Sequence, residues 1–300
     1  RDYFGKDFNP QISNSNELFR VKGGKFLHET LVRRWLDLLS AEKSDNELSY
    51  SLPFTTERNR QYFRHTFWLL SHIDECRALA NLLRDHPFFH DYEVVVVAGK
   101  DDAGPNDSVR ALARVRRAIG SEPLRSRTIT LSCGRLTTGI TVPEWTAVLM
   151  LGVTSNLAKI SSAQYLQAAF RAQNPWQVDG FMKKSAYIFD WSFDRAMLAV
   201  RDYAVNLCNN SASDIAATLA LLKYLPIYAS SPNGEMVPLS AEQIVTLPAQ
   251  LAAQEIVDGG FVSSDKLFRL DSITALSPSA HRVLNKIYAL GKHGFESTPQ

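Results

Sequence analysis

Residues 128–151 have the sequence TITLSCGRLTTGITVPEWTAVLML, which predicts two buried strands joined by a loop of small residues. The predicted strands are Thr128–Ser132 and Ala147–Leu151, and the loop between them closes at Pro143. Glycine and small hydroxyl residues directly after a strand indicate that the loop begins at the strand's carboxyl end. This stretch therefore predicts part of a layered sheet with a loop at one edge.

Strand and helix patterns alternate on both sides of this stretch, from about Tyr62 to Arg201. Tyr92–Ala98 (YEVVVVA) is apolar without alternation, as expected of a strand covered on both faces. His65–Leu70 and Ala186–Asp190 are the other predicted strands. One predicted helix begins after Ser71, for which Asp74 is the expected capping partner. Two more predicted helices cover Asp107–Ile119 and Ser161–Gln173. Repeated β–α units predict an α/β fold with a doubly wound, mainly parallel sheet, whose functional loops lie at the carboxyl ends of the strands.

Three parts are expected along the chain. Residues 1–54 are predicted to form a connecting segment with one amphipathic helix, and residues 55–203 form the α/β domain. Residues 204–300 are predicted to be a helical accessory region, interrupted by a loop with the sequence SSPNGEMVP. Because the chain begins at Arg1 within polar sequence, it is expected to be a fragment of a larger protein.

Composition limits the classes of protein that fit. The chain has 300 residues, 45% of them hydrophobic, and a formal net charge of +2, so any nucleic-acid contact depends on local charge. Its 3 cysteines match neither a disulfide framework nor the spacing of zinc ligands. The sequence contains no membrane-spanning apolar run and opens with no signal segment. A cytoplasmic protein without a structural metal or a membrane partner is expected.

The loop after Ser132 is the first candidate site. Gly134 and Gly139 permit close backbone approach, and Thr137, Thr138 and Thr141 offer hydroxyl groups with little bulk. That chemistry is suited to holding phosphates at a strand end. A purely structural alternative explains the same residues: the loop is a tight connection between strands, and its glycines are there because the turn requires them.

Two helices carry polar stripes at helical spacing. Along residues 161–176, one stripe faces away from an apolar one and consists of Gln164, Gln167, Arg171 and Asn174. Its guanidinium group could meet a phosphate, although for the helix taken alone a solvated face is the favoured explanation of the pattern. Helix 107–119 places Arg110, Arg114 and Arg117 on one face, for which contact with DNA and simple solvation both remain open.

Together, and in this order, these strings resemble the C-terminal RecA-like lobe of superfamily 2 helicases. HTFWLLSHIDECRALANLL (residues 65–83) resembles motif IV, LTTGITVPEW (136–145) resembles motif V, and QAAFRAQN (167–174) resembles motif VI. The similarity is greatest to the ATP-dependent motor subunits of Type I and Type III restriction–modification systems. It covers about residues 60–200, and residues 1–54 are similar to the segment that joins the two lobes in that group.

The resemblance implies roles for individual residues. Arg171 would be the arginine finger that approaches the nucleotide phosphates, with Gln167 in the same cleft. Gly139 and Thr141 would couple the nucleotide to the nucleic acid. The nucleic-acid backbone would be contacted by Thr137, Thr138, Ser71, His72 and Arg135. Phe170, Asn174 and Thr141 depart from the motifs, which leaves open whether Arg171 acts alone or with help from Arg135.

The same resemblance implies ATP with Mg²⁺ as the nucleotide, bound mainly by a first RecA-like lobe of the same protein. The sequence contains neither a GxxxxGK[ST] loop nor an acidic Walker B box, so this chain by itself is expected to have no ATPase activity. The implied partners are double-stranded DNA and a nuclease, methyltransferase or target-recognition subunit. Two alternatives stay open: a replication, repair or RNA helicase lobe, and a non-catalytic α/β protein-binding scaffold.

Overall fold

The computed structural model describes residues 15–42, 52–97, 107–133, 141–152, 162–191, 193–208, 213–230 and 236–246. In chain order its strands are β1 (Val21–Lys22), β2 (Lys25–Phe26), β3 (His65–Leu69), β4 (Glu93–Val97), β5 (Thr128–Ser132), β6 (Ala147–Met150), β7 (Gln177–Val178), β8 (Phe181–Met182), β9 (Tyr187–Asp190), β10 (Tyr228–Ser230) and β11 (Met236–Pro238). Its helices are α1 (Ser15–Leu18), α2 (Glu29–Ser40), α3 (Glu57–Tyr62), α4 (Ile73–Asp85), α5 (Asp107–Ile119), α6 (Ser162–Ala169), α7 (Phe193–Leu207) and α8 (Asp214–Leu222), and residues 241–246 are also helical.

The central element is a five-stranded sheet in the order β4-β5-β3-β6-β9, in which every neighbouring pair is parallel. Helices cover both faces, so the prediction of an α/β fold with a mainly parallel sheet is confirmed. The predicted bounds of β5 and α5 agree with the structure. The other predicted sheet strands differ by one residue, at one end for β3, β6 and β9 and at both ends for β4. The sequence predicts these strands because a parallel strand that is covered on both faces needs no polar face. It therefore appears as an apolar run between turn residues.

Two cores lie on opposite faces of the sheet. On the first face, α2 and α4 pack over Trp68 and Leu131, and the Trp35 ring meets the Trp68 ring edge to face at 6.0 Å. On the second face, α5, α6 and α7 pack over Phe67 and Val148. Alternate residues of each strand thus enter different cores, as the period of two in a strand requires.

Segments outside the predicted α/β domain also reach these cores. Trp35, from the predicted connecting segment, stacks edge to face on Trp191 at 5.3 Å. Ile244, from the predicted accessory region, is fully buried in the core of the second face. The predicted boundaries near residues 54 and 203 remain predictions, and α7 runs through the second of them.

Two local predictions were wrong, and a third was incomplete. Helix α4 begins at Ile73 with His72 as its N-cap, and the backbone N–H groups of Ser71 and His72 donate to Glu75, not to the expected Asp74. Ser71 cannot cap this helix because the chain is still extended through His72. The segment SSPNGEMVP does lie between helices, but its two ends belong to the antiparallel pair β10–β11, which was not predicted from the sequence.

The third difference concerns the helix that carries Arg171. The predicted helix 161–173 ends as an α-helix at Ala169, and residues Phe170–Ala172 form a 3-10 turn. A tighter turn changes the angle between successive side chains, so the stripe drawn at α-helical spacing does not continue past Ala169. Among the described residues, no helix is long and apolar enough to cross a membrane.

Candidate functional site

The topology creates a switch point, which we call the crevice, at the carboxyl ends of β3 and β6. The chain leaves β3 towards α4 on the first face, whereas it leaves β6 towards α6 on the second face. Adjacent parallel strands whose connections leave on opposite faces form the position where α/β proteins bind ligands. The backbone N–H groups of Leu151 and Gly152 both donate to the Leu69 carbonyl, at 2.9 and 3.0 Å, and hold the two strand ends together.

Ser71 and His72 lie directly at this crevice. Their backbone N–H groups donate to the same carboxylate oxygen, Glu75 Oε2, at 2.9 and 3.1 Å. Burial raises the pKa of the Glu75 carboxyl above its usual value, against the opposing effect of these two hydrogen bonds. The Ser71 hydroxyl is buried without a hydrogen-bond partner among the described residues, and the His72 side chain is exposed. Their predicted contact with nucleic acid stays a prediction.

The loop after β5 is described only at its two ends. Arg135, Thr137, Thr138 and Gly139 lie outside the described residues, so their predicted roles stay predictions. At the start of the loop, Cys133 forms a side-chain hydrogen bond with Cys76 of α4, and this bond together with burial raises the pKa of the Cys76 thiol. The loop therefore leaves the sheet beside the helix that follows β3.

Thr141 lies where the described chain resumes after this loop. Its side chain is exposed, while its carbonyl accepts a hydrogen bond from Arg116 Nη2 at 3.1 Å. The other terminal nitrogen of Arg116 pairs with Glu144 at 2.7 Å. Arg116 thus fixes the backbone beside the predicted phosphate-holding loop, a role that the sequence did not indicate.

Lys183 holds the same segment from another part of the chain. Its ammonium group donates to the carbonyls of Pro143 and Trp145, at 2.6 and 3.0 Å. Burial lowers the pKa of Lys183 to about 8, while the nearby Glu144 carboxylate opposes the shift. No local pattern marks Lys183 in the sequence, because its acceptors lie about forty residues earlier.

Helix α6 presents one buried and one exposed side. Its buried side chains are Tyr165, Leu166, Ala168 and Ala169, and the Tyr165 hydroxyl donates to Asp190 at the end of β9 at 2.6 Å. Gln167 lies on the exposed side, and the side chain of Gln164 lies outside the described residues.

Arg171 lies in the 3-10 turn after α6 and is half-buried. Its Nε donates to the Gln167 carbonyl at 3.2 Å, so the two predicted catalytic residues are neighbours. Burial lowers the pKa of the Arg171 guanidinium. Trp176, five residues later, is already beside His65 at the amino end of β3, with ring centroids 6.1 Å apart. Arg171 therefore lies beside the sheet, between Tyr165 near the carboxyl ends of the strands and Trp176 near their amino ends.

The basic stripe predicted on α5 is divided by the structure. Arg114 turns inward and donates to the Val96 carbonyl, whereas Arg110 and Arg117 are exposed. Only part of the predicted stripe therefore faces solvent.

These features define an α/β protein with a covered parallel sheet and a crevice at the carboxyl ends of its strands. No protein family model matches the chain. Over 205 residues the chain is 25% identical to a protein of Mycoplasma pneumoniae that bears the provisional description "type II restriction enzyme and methyltransferase, C-terminus". The match covers 68% of this chain and 27% of that protein, so the chain spans about a quarter of the relative's length.

Proposed function

We propose that this chain is the second motor lobe of a superfamily 2 type translocase in a restriction system that acts on double-stranded DNA. A first RecA-like lobe, outside this chain, would hold ATP and Mg²⁺. This lobe would supply Arg171 as the arginine finger, Gln167 beside it, and part of the DNA track. Its partner would be a nuclease, methyltransferase or target-recognition subunit.

One observation carries the proposal: the three motif-like strings fall in the expected order on the strands, helices and connections of one parallel sheet. The motif IV string covers β3 and α4, the motif V string lies between β5 and β6, and the motif VI string covers the end of α6. The connections after β3 and β6 diverge at the crevice, where α/β proteins place their ligands. The relative from Mycoplasma pneumoniae, by its description, supports the restriction context.

The surroundings of Arg171 fit the role proposed for it. The side chain is half-buried, and its Nε is oriented by the Gln167 carbonyl at 3.2 Å. A guanidinium group held in this way can meet a phosphate without reorganising during the reaction. Closure of the two lobes would bring Arg171 to the γ-phosphate, where its charge offsets the negative charge that develops in the transition state.

The test is DNA-stimulated ATP hydrolysis by the protein that contains both lobes. We expect Arg171→Ala to lower kcat by roughly 10³-fold, with little change in the KM for ATP, because the finger acts mainly in the transition state. Arg171→Lys should recover little activity, since an ammonium group lacks the planar fork. The matched control is Arg77→Ala, which removes an arginine that is 55% exposed on α4.

The outcomes separate the three readings of the sequence. Unchanged ATP hydrolysis by a folded Arg171→Ala protein would contradict the arginine finger and favour the protein-binding scaffold. DNA-stimulated hydrolysis that separates the strands of a duplex would favour a replication or repair helicase. Hydrolysis stimulated by duplex DNA without strand separation is the result expected of a translocase.

A further inference from the structure

The amino edge of the sheet, opposite the proposed crevice, carries a row of aligned cationic and aromatic side chains. Strand register places Arg64 beside Arg127 and Arg127 beside Tyr92, each directly before its strand. Hydrogen bonds fix this alignment, because Thr128 N donates to Arg64 O at 2.8 Å and Glu93 N donates to Arg127 O at 2.9 Å. We call Arg64, Arg127 and Tyr92 the amino-edge row.

The two arginines of the row are an unfavourable pair within the protein alone. Like charges on directly opposed positions of adjacent strands are destabilising. Burial, and then the charge of Arg127, lower the pKa of the Arg64 guanidinium. In the part of the chain that the structure describes, neither arginine forms an ion pair. Arg64 donates to the Gln61 side chain, and Arg127 lies 5.9 Å from the centre of the Tyr92 ring.

Tyr92 is the buried member of the row. Its side chain is only 3% exposed, and its hydroxyl has no hydrogen-bond partner among the described residues. The charges of Arg127, Arg64 and Arg60 all act on this hydroxyl, although burial dominates and raises its pKa to about 12. Because this hydroxyl is buried and lines neither of the clefts beside the row, a ligand that approaches from solvent meets Arg64 and Arg127 first.

Two open clefts flank the row and share Arg64. The first, of about 260 Å³, also contains Arg58 and Tyr62, and the second, of about 420 Å³, also contains Arg125 and Arg127. Paired arginines with planar donor forks are suited to successive phosphate groups.

Carboxylates do surround the clefts, and several already have partners. Glu122 pairs with Arg125 at 3.1 Å, and Asp91 pairs with His90 at 3.2 Å. Glu57 attracts Arg64 without an ion pair, and Glu93 lines the second cleft. These carboxylates leave the two aligned arginines of the row without direct neutralisation.

We infer that the amino-edge row is a second binding surface for the phosphodiester backbone of duplex DNA, on the opposite edge of the sheet from the proposed motor crevice. The choice of duplex DNA rests on the proposed function, while the anionic chemistry rests on the row itself. DNA leaving the motor would be held here by phosphate contacts that carry no sequence specificity.

The experiment measures binding of a labelled duplex to the protein without nucleotide, by fluorescence anisotropy across a range of salt concentrations. We expect the Arg64→Gln/Arg127→Gln protein to bind the duplex about tenfold more weakly. The slope of log K against log[salt] should fall in magnitude by about 2, because binding releases about one counterion fewer for each phosphate contact that is lost. The matched control is Arg20→Gln/Arg77→Gln, which removes the same charge from two exposed arginines elsewhere.

Equal affinity and salt slope in the wild type and in Arg64→Gln/Arg127→Gln would overturn the inference, as would an equal loss in the control. If the double variant loses its cooperative unfolding transition, Arg58→Gln/Arg125→Gln tests the exposed rim of the same clefts by the same criteria. Because this binding assay contains no nucleotide, an arginine-finger proposal that fails leaves the inference intact, whereas a wild type that binds no duplex at low salt contradicts the DNA partner as well.

Discussion

Replacing His65 by phenylalanine should destabilise the protein and abolish one part of its acid sensitivity. His65 is fully buried at the start of β3, where its Nε2 donates to the Pro123 carbonyl at 2.7 Å. Its Nδ1 then accepts a hydrogen bond from the Thr128 hydroxyl at 2.9 Å, so the neutral ring satisfies both partners. Phenylalanine keeps an aromatic ring in the core but leaves both partners without a hydrogen bond.

The expected cost is about 2–4 kcal/mol, the sum of two lost hydrogen bonds and of two buried polar groups left unsatisfied. Thr128→Val should cost less in the His65→Phe protein than in the wild type, by about 1 kcal/mol, because the pair has already been broken. His90→Phe is the matched control, since its side chain is 57% exposed, and it should change the free energy of unfolding by less than about 0.5 kcal/mol.

The pH dependence has a definite sign. Burial lowers the pKa of His65 below its ordinary value of 6.5, although the Pro123 hydrogen bond opposes this. The unfolded chain therefore binds the proton first, and the stability that is present above pH 6.5 is lost as the pH falls through the folded pKa. The slope cannot exceed about 1.4 kcal/mol per pH unit from this one group.

Urea unfolding of the wild type and of His65→Phe between about pH 5 and 8 measures both effects, and the difference between the two curves cancels the other titrating groups. We expect the curves to converge as the pH falls, because the wild type loses the contribution of neutral His65. Parallel curves would refute the reasoning, as would a free-energy loss no larger than that of His90→Phe.

Two further predictions concern local structure. Glu75→Ala should lower the free energy of unfolding by about 2 kcal/mol, because the N–H groups of Ser71 and His72 lose their acceptor. Glu75→Gln keeps an acceptor oxygen and should cost less than half of that. Equal losses for the two variants in urea unfolding would contradict the role of Glu75 as the cap of α4. Gly180→Ala should lower the free energy of unfolding by about 1 kcal/mol, because Gly180 has a φ of 79°, which alanine adopts only with strain. Thermal unfolding measures this loss, and Ala186→Gly, at an exposed position outside a strand, serves as the control. A Gly180→Ala protein with an unchanged thermal midpoint would contradict the turn geometry.

The hairpins show where sequence reasoning missed an available signal. Asp179 and Gly180 both have positive φ values, 44° and 79°, as a tight turn between β7 and β8 requires. An Asp-Gly pair is a recognised hairpin signal, but the flanking strands contain two residues each and give no detectable alternation. Asn233-Gly234 gives the same signal between β10 and β11, and the prediction of a helical C-terminal region passed over it.

The order of strands and helices was determined by the sequence itself. Runs such as EVVVV in β4 and TITLS in β5 lie between turn residues, and a sheet covered on both faces selects such runs directly. The alternation of these runs with helical patterns was enough to predict the parallel α/β fold. Arg171 and Gln167 could be chosen from the local sequence, although the 3-10 turn after Ala169 interrupts the α-helical spacing that grouped them.

Contacts between distant residues were decided only by the tertiary structure. Lys183 reaches the carbonyls of Pro143 and Trp145, and Arg64 aligns with Arg127, because the strands and hairpins bring these positions together. Hydrogen bonds to backbone carbonyls place no demand on the acceptor side chain, so the sequence carries no mark of them. Strand register depends on the packing of both cores at once, so only the tertiary structure reveals that the residues of the amino-edge row are aligned.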